Sequence, residues 1–162
     1  MKIYFDHLYT ASKESCLSML QQNLQEERKT FVVTANPEAF MFGEKDSDMH
    51  QLLIDDQVTV VADGIGVVKS AGMLGIQVEE RIPGVEIAQA LMAYGHEMKK
   101  KIFLLGAKQE VVDAMCAVIQ TQYPGLILAG AINGYVPDKD AAFDEIVRAQ
   151  PDIVLVDRKS VV

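Results

Sequence analysis

The chain has 162 residues, 49% of them hydrophobic, with 11 Gly and 5 Pro, enough to bury one core of ordinary size and unlike a disordered or fibrous sequence. Its formal net charge of -8 and pI of about 4.8 exclude a generic nucleic-acid binder, which needs clustered Lys and Arg against phosphates. Cys16 and Cys116 stand in no Cys-x-x-Cys or Cys/His spacing, so neither a zinc site nor a disulfide framework is indicated, and a reducing cytosol is the expected compartment. The first residues lack the apolar run of about 7–15 residues that marks a signal peptide, and no run of about 18 apolar residues occurs, so no leader or membrane span is expected.

In chain order, Cys16, Leu20 and Leu24 make an apolar helical stripe ahead of a first strand at 30–33. Thr34-Ala35-Asn36-Pro37 closes that strand, with Pro37 suited to a helix's first turn. A helical stretch between Phe40 and Leu53 carries Asp46, Asp48 and His50. Asp-x-Asp is a pattern by which sugar-nucleotide enzymes hold a divalent cation, but a mid-helix position reads as a solvated face, and no metal site is assigned. A second strand at 58–62 is closed by Asp63-Gly64. A long helical region follows, with a stripe of Ile87, Leu91, Tyr94 and Met98. Lys99, Lys100 and Lys101 fall where that helix ends and suit its negative pole. The strand at 101–105 closes on Gly106. The helix at 110–123 carries the stripe Val111, Val112, Met115, Val118 and Ile119, and a strand at 126–129 closes on Gly130. Asn133-Gly134-Tyr135 is a turn. Asp138-Lys139-Asp140 caps a helix with Phe143, Ile146 and Val147, and the last strand is 152–156.

The strands are apolar on both faces and alternate with amphipathic helices, which predicts an α/β chain with a Rossmann-like, open, mainly parallel sheet and helices on both faces. Ligands of such sheets bind at the carboxyl ends of the strands. The residues to examine are therefore Thr34, Asn36, Asp63, Gly64, Gly106 and the turn at Gly134 and Tyr135, although caps, turns and crowded strand ends account for each singly. Asp63-Gly64-Ile65-Gly66 is the most informative, since a carboxylate beside two glycines can face a ligand that approaches the backbone. It is no dinucleotide fingerprint, for position 69 is Lys69 and not glycine, and no phosphate-binding Gly-x-x-x-x-Gly-Lys loop exists.

The segments FVVTANPE (31–38), VVADGIGVV (60–68), ERIPGVEI (80–87), IFLLGAKQEVV (102–112), YPGLILAG (123–130) and NGYV (133–136) resemble, in order and spacing, the WecG/TagA/CpsF glycosyltransferases of teichoic-acid, common-antigen and capsule synthesis. The resemblance implies an inverting hexosyltransferase that moves N-acetylmannosamine, or its uronic acid, from UDP to N-acetylglucosaminyl-diphospho-undecaprenol. By motif, Asp63 corresponds to the general base, Thr34, Asn36 and Arg81 to pocket residues, and Gly106, Gly134 and Tyr135 to positions bordering the nucleotide. The chemistry agrees: a carboxylate that takes the acceptor's proton contributes about 10²–10⁴-fold. A guanidinium such as Arg81 can balance the departing UDP without metal or other cofactor.

The family pattern continues after the last strand with a glycine-rich Pro-Lys-Gln-Glu segment and a basic tail that approaches the membrane, whereas here Asp157-Arg158-Lys159-Ser160-Val161-Val162 follows. Those six residues match a reading frame of a common sequencing adapter. The expectation is an incomplete catalytic domain at 1–156 and a non-native tail at 157–162. The full-length protein is then expected in the cytoplasm, peripheral at the inner face of the cell membrane through the missing segment, with a homo-oligomer left open. Two other readings stand beside this one. A phospho-receiver domain needs an acidic pair after the first strand, where Thr34-Ala35-Asn36 stands. A non-catalytic UDP-binding fragment or assembly module needs only the fold.

Overall fold

The structure is a computed structural model that describes residues 1–157; of the tail expected at 157–162, Asp157 is the last residue of the final strand, and the rest lies outside the described residues. The chain forms two compact units, Met1–Ile87 and Ala88–Val162. The first holds α1 (Lys2–Asp6), α2 (Lys13–Gln25), β1 (Phe31–Ala35), α3 (Pro37–Gly43), α4 (Ser47–Ile54), β2 (Val58–Ala62) and α5 (Ile65–Met73). Helix α6 (Gly84–Met98) begins in the first unit and runs into the second, which continues with β3 (Lys101–Gly106), α7 (Gln109–Gln122), β4 (Ile127–Ile132), α8 (Lys139–Ala149) and β5 (Ile153–Asp157).

The fold is α/β as the alternation predicts: every strand pairing among the described residues is parallel, and the open sheets are flanked by helices in a Rossmann-like manner. The strands fall into two sheets, β1-β2 in the first unit and β4-β3-β5 in the second. In the first, Leu8 adds a parallel bridge to Val60, fixed by the Tyr9 amide donating to Val60 O at 2.7 Å. Its core gathers Tyr4, Phe5, Leu8, Val33, Phe40, Leu53, Val60 and Val67. In the second, the central strand β3 buries Ile102, Phe103 and Leu104, and α7 turns Val112 and Ile119 inward.

Burial on both faces holds for β3 but not for β1, whose Phe31 and Thr34 are exposed, nor for the edge strand β5, whose Val156 is exposed. Three boundaries also differ from the pattern. Thr34 and Ala35 belong to β1 rather than to the turn after it, because they pair with Val61 and Ala62. Gly130 lies inside β4, opposite Phe103; a Cβ there would meet the Phe103 ring at 2.3 Å, so this glycine makes room for an aromatic and does not end the strand. The helix expected between Phe40 and Leu53 is two helices. Asp46 is the N-cap of α4, its Oδ1 accepting from Met49 N at 2.9 Å, and is not mid-helix. Asp138 caps α8 as predicted, accepting from Ala141 N at 3.0 Å, but that helix buries Ala142 and leaves Phe143 and Val147 exposed.

Candidate active site

In the first unit the carboxyl ends of β1 and β2 lie side by side through the register Phe31↔Val58 to Ala35↔Ala62. Asp63 extends the pairing by one bond, its amide donating to Ala35 O at 3.0 Å. The chain then makes α5 and a loop, and Ile82 returns to the same place, its amide donating to Ala62 O at 2.8 Å. Two residues later α6 starts, so its N-terminus meets Asp63. Gly84 N–H donates to Asp63 Oδ1 at 3.3 Å. That carboxylate serves the positive end of the α6 dipole from a neighbouring element.

Thr34 also closes on Gly84. A Cβ on Gly84 would come within 2.9 Å of Thr34 Cγ2 and 3.1 Å of its Oγ1. A bare α-carbon is what lets the helix start reach the strand end. Thr34, Asp63 and Gly84 therefore form one cluster. Asp63 is half-buried, and its second oxygen has no hydrogen bond among the described residues. Asn36 and Gly64 flank this cluster with local duties. Asn36 Oδ1 caps α3, accepting from Ala39 N at 2.8 Å, with Pro37 in the first turn as the sequence predicts. Gly64 is the N-cap of α5 and supplies no side-chain bond. A Cβ on it would make only ordinary contacts, with Pro37 Cδ at 3.8 Å and Gly66 N at 4.0 Å, so no close neighbour demands glycine there. Arg81 is exposed on the loop before α6 and has no ion pair among the described residues.

In the second unit Gly106 ends β3 with φ +114°, where a Cβ would run into Asp157 O. Ala107 also has positive φ, and its amide donates to Asp157 O at 3.3 Å. Gly134 packs on this bend: its amide donates to Ala107 O at 2.9 Å, and a Cβ on it would lie 3.2 Å from Gly106 Cα. The predicted pair of glycines is thus brought together. Tyr135 is 71% exposed. Its amide donates to Asn133 Oδ1 at 2.9 Å, while Asn133 Nδ2 donates to Gln109 Oε1 at 2.8 Å and ties the turn to the start of α7.

Among the described residues no group of three or more His, Cys, Asp or Glu converges, and no helix is long and apolar enough to cross a membrane. The sequence profile of the glycosyl transferase WecG/TagA/CpsF family matches residues 2–157. The chain belongs to this family. It is similar to the N-acetylglucosaminyldiphosphoundecaprenol N-acetyl-beta-D-mannosaminyltransferase of Bacillus subtilis strain 168, 34% identical over 125 residues, which are 77% of this chain and 48% of the relative. The relative of the same name from Staphylococcus aureus NCTC 8325 is 35% identical over 136 residues, 82% of this chain and 52% of its own. That from Bacillus spizizenii W23 is 30% identical over 133 residues, 82% and 51%. The chain spans about half the length of these curated relatives.

The WecG/TagA/CpsF match takes in all the candidate residues, from Thr34 to Tyr135. It also takes in Gly84, which the pattern of strand ends misses because it opens a helix. The signal for it is Pro83-Gly84 directly ahead of an amphipathic stripe, a helix start with no side chain at the point of closest approach.

Proposed function

We propose that the protein to which this chain belongs transfers N-acetylmannosamine, or its uronic acid, from UDP to N-acetylglucosaminyl-diphospho-undecaprenol, with inversion. The observation that carries this reading is Asp63: one carboxylate oxygen is held by Gly84 N–H at a strand end beside Thr34, and the other is uncommitted among the described residues. An acceptor hydroxyl placed there gives its proton to the uncommitted oxygen as its own oxygen bonds to the anomeric carbon. The bond from that carbon to UDP breaks, and UDP leaves with the electron pair. Arg81, exposed and without an ion pair among the described residues, is the counter-charge for the diphosphate, and Thr34 and the Asn36 amide hydrogen-bond the sugars.

The test is Asp63→Asn in the whole protein, with a polyprenyl-diphosphate acceptor. Asn keeps an oxygen for Gly84 N–H but cannot take a proton, so turnover should fall by about 10²–10⁴-fold, with UDP-sugar affinity and thermal midpoint little changed. Near-wild-type turnover ends the case for Asp63 as base. A fall in turnover matched by a fall in thermal midpoint makes it a cap of α6 and nothing more.

The same reading needs no divalent metal, because Asp46 is committed to the start of α4 and the counter-charge is a guanidinium. Transfer should persist in excess EDTA; a loss reversed by magnesium or manganese overturns this. For the chain by itself, whose span is about half that of its relatives, UDP binding without transfer is the second reading, and calorimetry with UDP decides it. Contact with the cell membrane's inner face, where a polyprenol-linked acceptor resides, completes the proposal.

A further inference from the structure

Arg81 is flanked by two carboxylates, Glu80 beside it in sequence and Glu86 in the first turn of α6. Either could pair with an exposed guanidinium and neutralise it. Among the described residues neither pairs with it, and both are engaged by one residue. Lys13 N–H donates to Glu80 Oε1 at 2.8 Å, and Lys13 Nζ donates to Glu86 Oε2 at 2.7 Å. The Lys13 backbone amide belongs to the first turn of α2, whose N-cap Ser12 serves Ser15 N instead, so Glu80 fills a vacant place at a positive helix end. The loop is further fixed by Glu79 N–H, which donates to Thr10 O at 3.0 Å. The Glu86 hydrogen bond holds the Lys13 ammonium above its ordinary value, while the nearby charge of Arg81 opposes that rise. Glu86, Glu80 and Arg81 thus all sit within electrostatic reach of Lys13.

We propose that Lys13 is a positioning residue for Arg81: by holding Glu86 through its ammonium and Glu80 through its backbone amide, it keeps both carboxylates off the guanidinium and leaves it free for an anionic oxygen. The functional half of this rests on Arg81 being the counter-charge of the leaving diphosphate. Lys13 itself touches no substrate.

Labelling of Arg81 by phenylglyoxal, followed by mass spectrometry on the chain as it is, reads the freedom of the guanidinium directly, with Arg148 as internal reference. Lys13→Met keeps the apolar stem and releases Glu86, so Arg81 should label about 2- to 5-fold more slowly, the range for an exposed ion pair. Glu86→Gln alone should leave the rate unchanged. Lys13→Met with Glu86→Gln should restore it, a rescue that a purely structural role of Lys13 would not give. An unchanged rate in Lys13→Met, or a slow rate that persists in the double variant, overturns the role of Lys13. Protection of Arg81 by UDP added to the whole protein, for which transfer is proposed, is the separate measure of its substrate role. Without protection the counter-charge reading fails and takes the functional half of the proposal with it. With protection but no response to the Lys13 variants, the role of Lys13 alone fails.

Discussion

The Tyr4 phenol is wholly buried, and its hydroxyl lies 2.7 Å from His50 Nδ1 while its ring packs on Phe40. Tyr4→Phe keeps the packing and removes the hydrogen bond, which should cost about 0.5–1.5 kcal/mol by urea unfolding. Burial pushes the phenol above its ordinary value, with the negative charge of Glu44 adding to the rise. Above a pH of about 10 the unfolded chain therefore loses this proton while the folded chain keeps it. The associated stability is complete below that pH and is lost as pH climbs toward the folded value; the Tyr4→Phe chain should show a shallower loss between about pH 9.5 and 11. An equal slope in both chains would assign the alkaline loss to other groups. None of this was legible in sequence, because α1 has five residues, too few for an apolar period, and His50 is 46 positions away. The cap that Asp63 gives Gly84, across 21 positions, escaped for the same reason. Asn36 and Asp138 were legible because their partners are three residues on.

At the scale of elements, β2 and α7 stand close to where the apolar runs put them, since each is bounded by a turn residue and keeps one period throughout. The errors fall where one residue type serves two ends. Glycine at 130 reads as a strand terminus, yet it is an interior strand residue beneath Phe103. Gly130→Ala should overpack this contact and cost about 1–3 kcal/mol. Adding Phe103→Leu should recover part of the loss, and failure to recover would mean that backbone conformation, not the ring, sets the requirement. The break between α3 and α4 is a second case. A continuous helical pattern hid it because Asp46 looks equally like a surface residue and a cap, and the deciding bond to Met49 N is a matter of geometry. The apolar residues of α8 misled in the opposite direction, for Phe143 and Val147 sit beside the inward stripe rather than on it.

Taken whole, the molecule is acidic, with a net charge of -8, and an anionic bilayer repels such a chain within about one Debye length of its surface. The 162-residue chain should remain in the supernatant when sedimented with phosphatidylglycerol vesicles at about 0.1 M salt. Co-sedimentation would mean that a local patch outweighs the net field. The alternation of strand and helix made the α/β class legible at this scale, and the parallel pairing followed from strands apolar on both faces. The division into two sheets was not legible, because strand composition says which face is buried and nothing about which neighbour a strand takes.

The central position of β3 has a consequence for biosynthesis. It pairs with β4 and with β5, both of which are synthesised after it, and its first bond to the β5 side, from Lys101 N–H to Asp152, spans 51 positions. At about 5–20 residues per second, a nascent chain holds the strand with an unpaired edge for several seconds after it leaves the ribosome. Ile102, Phe103, Leu104 and Leu105 make that edge strongly apolar, the kind of segment that chaperones bind and that self-associates when many copies emerge together.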